Sequence, residues 1–204
     1  MRTSIITAVA AVALVPLGLA LANRSVMAHP APCDFMTGGG FIFTTASGTH
    51  DLAKANFGVG GGCKHGSPTW GHLEYIDHGT KLNVHWQTIT AYLAEGDGLG
   101  DTSTDPKTGQ PTGTRLICGT ARTNQLGDVD FMVRARDAGE PGVNDEFDIR
   151  LSKLGLIVYS TENEPDMPHK LGGGDGGGGN IQLHKPNPST AGDLGGDCPA
   201  RDAI

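Results

Sequence analysis

Two histidines and a glutamate hold the most suggestive spacing in this chain. His72 and Glu74 alternate with apolar residues in the segment Trp70–His78, and His85 sits in a second segment of the same kind, Leu82–Leu93. A two-residue turn at Gly79-Thr80 sets His78 opposite Lys81, Glu74 opposite His85 and His72 opposite Gln87. Leu73 and Tyr75 then share the other face with Leu82, Val84 and Trp86, so the register joins apolar to apolar and polar to polar. Two imidazoles and a carboxylate within mutual reach can bind Zn²⁺ and leave one position open, which is the chemistry of a metal-assisted hydrolase. A solvated sheet face with an ordinary Glu–His pair yields the same pattern.

Oxygen donors gather in two other places. The loop Glu95–Asp105 carries Asp97, Asp101 and Asp105 among glycines, part of what a Ca²⁺ shell of six to eight oxygens needs. It lacks the D-x-[DN]-x-[DN]-G order and a Glu at the twelfth position, so a solvated acidic loop is the competing reading. Asp137, Glu140 and Asp145 surround the turn Gly139-Glu140-Pro141-Gly142, where Asp137 can accept hydrogen bonds from the turn backbone or contribute to a cation site. No G-x-S-x-G or H-E-x-x-H motif is present. The run Gly173–Gly179 resembles a phosphate loop in composition alone, since no Lys-Ser/Thr and no helix follow it. No catalytic nucleophile and no required cofactor is therefore assigned; zinc or calcium remains the ligand to test.

The 204 residues begin with a segment that reads as an export signal. Arg2 is followed by an uncharged, mostly apolar run from Ile5 to Ala22, then by small-x-small exits at Ala22 and Ala28. A retained membrane anchor is the alternative, but Pro16 and Gly18 break the second half of the run. Residues 1–28 are expected to be a signal peptide, 29–35 a Pro-rich joint, 36–185 the folded domain and 186–204 an irregular tail tied by Cys198. The expected location is secreted or periplasmic, with no membrane insertion after cleavage. The formal charge of −7 becomes −9 once Arg2 and Arg24 are lost, and no basic cluster offsets it, so nucleic acid is excluded as a partner.

The rest of the chain supplies strands to position these groups. Val129, Phe131, Val133 and Ala135 alternate with polar residues, as do Phe147, Ile149 and Leu151. Further strands are expected at Phe41–Thr45, Ala53–Val59, Trp70–His78, Leu82–Leu93, Arg115–Thr123, Leu156–Ser160 and Asn180–His184, with turns that include Gly60-Gly61-Gly62. The 32 glycines and the lack of any sustained 3.6-residue stripe argue against helix bundles. The expectation is an all-β antiparallel meander of about nine short strands, forming a small barrel or a sandwich.

Several phrases, taken in order, resemble the post-COAP domains of exported bacterial proteins. They are Thr37-Gly38-Gly39-Gly40-Phe41-Ile42, Phe57-Gly58, Gly71–His78 and Leu82-Asn83-Val84-His85. Asp137–Gly142, Asp145-x-Phe147 and Gly179–Lys185 complete the set. The resemblance spans about residues 36–185 and implies an all-β exported domain without adding catalytic residues.

Four cysteines in an exported chain favour two disulfides. Cys63 and Cys118 both belong to strand-like segments, while Cys33 and Cys198 lie in the flanking tails. The expected pairing is Cys63–Cys118 and Cys33–Cys198, with Cys33–Cys63 plus Cys118–Cys198 as the alternative. The functional expectation is a non-catalytic extracellular module that binds a protein or a glycan or serves a surface assembly. In a carbohydrate-binding version Trp70, Trp86 and Tyr92 are the candidate stacking platforms.

Overall fold

The computed structural model describes residues 33–45, 52–95, 103–164, 168–190 and 192–204. The expected signal peptide, most of the Pro-rich joint, Asp97 and Asp101 lie outside the described residues. Eleven strands form one antiparallel sheet system: β1 (Phe35–Thr44), β2 (Ala53–Lys64), β3 (Ser67–Asp77), β4 (Leu82–Ala94), β5 (Ser103–Thr104), β6 (Pro111–Thr123), β7 (Gly127–Asp137), β8 (Glu146–Lys153), β9 (Leu156–Ser160), β10 (Gly179–His184) and β11 (Gly195–Gly196). Their order is β10-β1-β2-β3-β4-β6-β7-β8-β9, with β5 beside β6 and β11 beside β4. The all-β meander expected from the periodicity is therefore present, with a last long strand that returns to pair with the first. Among the described residues, helical geometry is confined to the 3-10 turns Leu171–Gly174 and Pro199–Arg201.

The sheet curls over its main core, because alternate residues of the long strands point to the same interior. Phe57 of β2 stacks on Phe147 of β8 with ring centroids 3.8 Å apart. Ile42, Leu73, Ile117, Phe131, Ile149 and Leu183 are all fully buried in that cluster. The hydrogen-bonded ladder does not close between β9 and β10. The free edge of β10 is capped instead: Ile181 N–H donates to Asp145 Oδ2 at 2.8 Å and Leu183 N–H to Asp137 Oδ2 at 2.7 Å.

The β3–β4 hairpin keeps the expected register, with Glu74 opposite His85. Its turn is longer than the two-residue turn expected, since Asp77 and Leu82 form the last pair and His78–Lys81 make the turn, with Lys81 at φ +65°. The cause is Asp77, whose carboxylate accepts from Gly79 N–H at 2.7 Å and Thr80 Oγ1 at 2.8 Å and so stabilises a wider loop. A hydroxyl chain ends on the same carboxylate: Tyr75 and Tyr159 hydroxyls are 2.6 Å apart, and Tyr159 donates to Asp77 Oδ2 at 3.1 Å.

Gly60-Gly61-Gly62 is not a turn. All three lie inside β2, and Gly61 faces Gly71 of β3. A side chain at Gly61 would sit 2.6 Å from Ile117 Cγ1 in the core, while Gly71 holds φ +150°, so the run lets two strands and the core approach closely. The Pro-rich joint is also shorter than expected, because Phe35 already belongs to β1.

The disulfides differ from the expected pairing. Cys33 joins Cys63 (Cα–Cα 5.7 Å) and Cys118 joins Cys198 (Cα–Cα 5.3 Å). The β1–β2 register, which sets Phe35 opposite Gly62, brings Cys33 beside Cys63 at the strand ends. Cys118 occupies the outer face of β6, the opposite face from core residue Ile117. The tail crosses that face and buries Cys118, Met132 and Ala91 under Cys198 and Ala200. The tail adds β11 and then pairs with the β9 side of the sheet, where Ile157 N–H donates to Ile204 O at 3.0 Å.

Beside the first disulfide lies a buried ion pair. Arg115 Nε donates to Asp34 Oδ1 at 3.1 Å, a second guanidinium nitrogen contacts Asp34 Oδ2, and Tyr92 donates its hydroxyl to Asp34 Oδ1 at 2.7 Å. Breaking a buried pair strands the remaining charge. Asp34→Ala is accordingly expected to lower the unfolding free energy in urea by about 3–5 kcal/mol, and a loss below about 1 kcal/mol would mean that water reaches Arg115. Non-reducing peptide mapping is expected to recover Cys33–Cys63 and Cys118–Cys198, whereas a Cys63–Cys118 peptide would contradict this arrangement of the tail.

Candidate functional site

Of the His72, Glu74 and His85 trio, the structure brings together Glu74 and His85. His85 Nδ1 contacts Glu74 Oε1, and both side chains are more than half exposed. His72 lies opposite Gly60 of β2, with its ring across that glycine. Among the described residues no three His, Cys, Asp or Glu side chains form a group that could hold a metal ion. The Glu74–His85 contact is therefore an exposed side-chain pair on the face of the hairpin, a type worth about 0–1 kcal/mol.

Asp105 is buried, and its oxygens are committed to its own loop and to the β7–β8 connection. It accepts from Lys107 N–H at 2.9 Å, Thr108 Oγ1 at 2.8 Å and Glu140 N–H at 3.3 Å. These bonds, led by the one from Lys107 N–H, hold its carboxyl below the ordinary carboxylate value. Asp137 and Asp145 are likewise structural: Asp137 Oδ1 accepts from Gly139 N–H at 2.7 Å, the turn bond expected for it, and Asp145 Oδ1 accepts from Ala138 N–H at 2.9 Å. Burial raises both carboxyls, Asp145 to about 6, against the opposing pull of their backbone bonds. Glu140 accepts from Asn180 Nδ2 at 3.1 Å and completes the join between this loop and β10.

One buried polar cluster has no forerunner in the sequence reading. His169 is 5 % exposed and engages a carboxylate with each ring nitrogen: Nδ1 lies 2.7 Å from Asp148 Oδ1 and Nε2 3.2 Å from Glu164 Oε2. A neutral imidazole has a single N–H, so two carboxylate partners are both satisfied by the doubly protonated ring. Burial opposes that charge, but the bond to Asp148 and the charges of Asp148 and Glu164 outweigh it and raise the His169 pKa. Glu164 also accepts from Thr45 N–H at 2.6 Å, which ties the end of β1 to the cluster. The partners come from β8, from the turn after β9 and from the segment before the 3-10 turn Leu171–Gly174. No periodicity links them, and only Pro168 marks the spot in the sequence.

Of the three aromatic platforms, Tyr92 is fully buried on Asp34 and Trp86 packs against the core, which removes Tyr92 as a stacking surface. Trp70 remains. It is partly exposed at the wall of a cleft of about 160 Å³ with Phe35, Lys64, Asn187, Ser189 and Thr190. Phe35 braces its ring edge-on at 6.3 Å and Lys64 Nζ stands 5.6 Å from the ring centroid. The opposite wall is set by an internal network: Asn187 N–H donates to Thr190 Oγ1 at 2.8 Å and Ser189 N–H to Asn187 Oδ1 at 2.9 Å.

Comparison with known proteins returns no matching family model, no matching curated protein and no matching solved structure. The two disulfides fit an oxidising, extracellular environment. Among the described residues no helix is long and apolar enough to cross a membrane.

The raised proton affinities set a direction for stability against pH. A carboxyl raised to about 6 holds its proton in the fold where the unfolded chain has released it, so stability falls as pH rises from the ordinary Asp range through about 6. The raised His169 contributes stability that is complete below its unfolded value and is lost as pH climbs through the folded one. Urea midpoints measured from pH 4 to 9 are expected to decline through both windows. Asp145→Asn should flatten the lower one and His169→Gln the upper one; unchanged slopes in the variants would remove these two groups as the cause.

Proposed function

We propose that this chain is an exported, non-catalytic all-β module that binds an extracellular glycan through the Trp70 cleft. The Trp70 cleft is the observation that carries the reading. A partly exposed indole braced by Phe35 offers a flat apolar face, and Asn187, Ser189, Thr190 and Lys64 supply amide, hydroxyl and ammonium groups around it. Sugar rings present that same mixture, a C–H face ringed by hydroxyls, and their recognition relies on an aromatic surface beside a few placed polar groups. A small, braced cleft loses little freedom on binding.

The export signal at residues 1–28 supports a secreted or periplasmic setting, as do the cystine pairs and the acidic surface. The ordered phrases that resemble post-COAP domains support an exported all-β domain and add no catalytic residues. A protein partner is the other extracellular ligand class consistent with such a module.

The test is binding of the secreted protein to an immobilised glycan panel. Trp70→Ala is expected to weaken binding to the retained glycan by about tenfold or more, the equivalent of losing one buried aromatic face, with the thermal midpoint nearly unchanged. Retention that does not depend on Trp70, or no retention on any glycan, would sink the proposal.

A further inference from the structure

Lys64 brings to the Trp70 cleft a cation that the fold leaves unspent. Its Nζ stands 5.6 Å from the Trp70 ring centroid, near the outer reach of a cation–π contact. An ammonium has three donors, and among the described residues none of those of Lys64 meets an oxygen acceptor. Lys81, Lys107, Lys153 and Lys170 by contrast each donate to an oxygen, at 2.7, 3.0, 2.6 and 3.2 Å. The backbone that carries Lys64 is fixed on both sides. Cys63 is bonded to Cys33, and His65 N–H donates to Ser189 O at 3.2 Å, which ties the β2–β3 turn to the opposite wall of the cleft.

That wall has spent most of its own hydrogen bonds. Asn187 Oδ1 accepts both the N–H and the hydroxyl of Ser189, at 2.9 and 2.6 Å. The Thr190 hydroxyl accepts from Asn187 N–H at 2.8 Å and donates to Asn187 O at 3.1 Å. Among the described residues no carboxylate lines the cleft. The hydrogens left uncommitted belong to the Asn187 side-chain amide and the Lys64 ammonium, and both groups are donors. An aromatic face beside spare donors, one of them charged, is completed by a ligand that brings an apolar ring face and anionic oxygens.

We infer that the ligand of this cleft is an acidic saccharide, whose ring lies on Trp70 while its carboxylate or sulfate ester accepts from Lys64 Nζ and Asn187 Nδ2. The inference rests on the glycan reading of the cleft and adds the charge of the ligand. A neutral sugar forgoes the charge-assisted bond, which is roughly twice as strong as a neutral one. A cationic ligand would be repelled by Lys64, and a bare inorganic anion would leave the indole face unused. The chain carries a formal charge of −7, so the attraction is local to the cleft and is not a property of the whole surface.

The experiment is amide shift titration of the full secreted protein with sugars that differ only at the sixth carbon: glucose against glucuronate, mannose against mannuronate, and galactose against galacturonate and galactose 6-sulfate. At least one acidic sugar is expected to shift the amides of Lys64, Trp70 and Ser189 and to bind about tenfold or more tighter than its neutral parent. Whether the uronate or the sulfate does so names the acidic group. Lys64→Gln should bring the ratio of acidic to neutral affinity to about one, and Lys64→Arg should keep it. Raising sodium chloride from about 0.05 to about 0.5 M should shrink the ratio in the wild type. A ratio near one in the wild type, with binding that still depends on Trp70, would overturn the inference and leave the glycan reading standing. A ratio that survives Lys64→Gln would overturn it as well, since the cation would lie elsewhere. So would equal shifts of the same amides by sodium sulfate alone, which would mark a simple anion site. No binding of any of these sugars also overturns it, and the glycan panel then decides the reading on which it rests.

Discussion

A strand at the rim of a sheet must find acceptors for the amides that face away from its neighbour, and the fold of this protein turns on how β10 finds them. Asp137 and Asp145 each accept one such amide and, with the other oxygen, one amide of their own loop. Two carboxylates thereby do the work of a neighbouring strand. The arrangement holds the β7–β8 connection against β10 and lets the curled sheet cover Ile181 and Leu183 without a closed ladder. It has a cost, because both carboxyls are held away from water, and that burial is the main reason their proton affinities rise.

The interior follows the same logic elsewhere. Two polar chains enter it with their hydrogen bonds completed: Tyr75 to Tyr159 to Asp77 beneath the β3–β4 turn, and Tyr92 and Arg115 on Asp34 beside the first disulfide. Each chain joins strands that are distant in sequence, and each can be satisfied in one arrangement of those strands. Buried ion pairs are weak evidence of stability in themselves. Their effect here is on register, since a slip of one residue would turn Arg115 or Tyr75 out of the interior.

Much of this architecture was legible in the sequence. The nine longer strands were visible because residues such as Phe131, Val133 and Ala135 keep a period of two, and the Glu74–His85 contact followed from matching the faces of one hairpin. What escaped notice lacks a periodic signal. Glycines carry no hydropathy, so the run Gly60–Gly62 reads as a turn although it lies within β2, and β1 starts earlier than the Phe41 expected for it. Asp77 widened a turn through its side chain. The cysteine pairing depended on which face of β6 carries Cys118, and that strand is buried on both faces, by the core and by the tail. The His169 cluster is a product of tertiary register, assembled from residues that no local pattern connects.

The cystine pattern also has a mechanical meaning. The two cross-links enclose separate, non-overlapping stretches of chain, Cys33 to Cys63 and Cys118 to Cys198. Tension applied across the outermost cysteines passes through each sulfur bridge and bypasses everything enclosed. Only the stretch from Cys63 to Cys118 can pay out, roughly 190 Å of fully extended backbone at the usual rise per residue. That stretch contains β3, β4 and the start of β6, the strands whose antiparallel pairing holds the middle of the sheet. A module tethered outside the cell would thus give way under load at one defined extension, while β1, β7, β8 and β10 remain shielded from the pull.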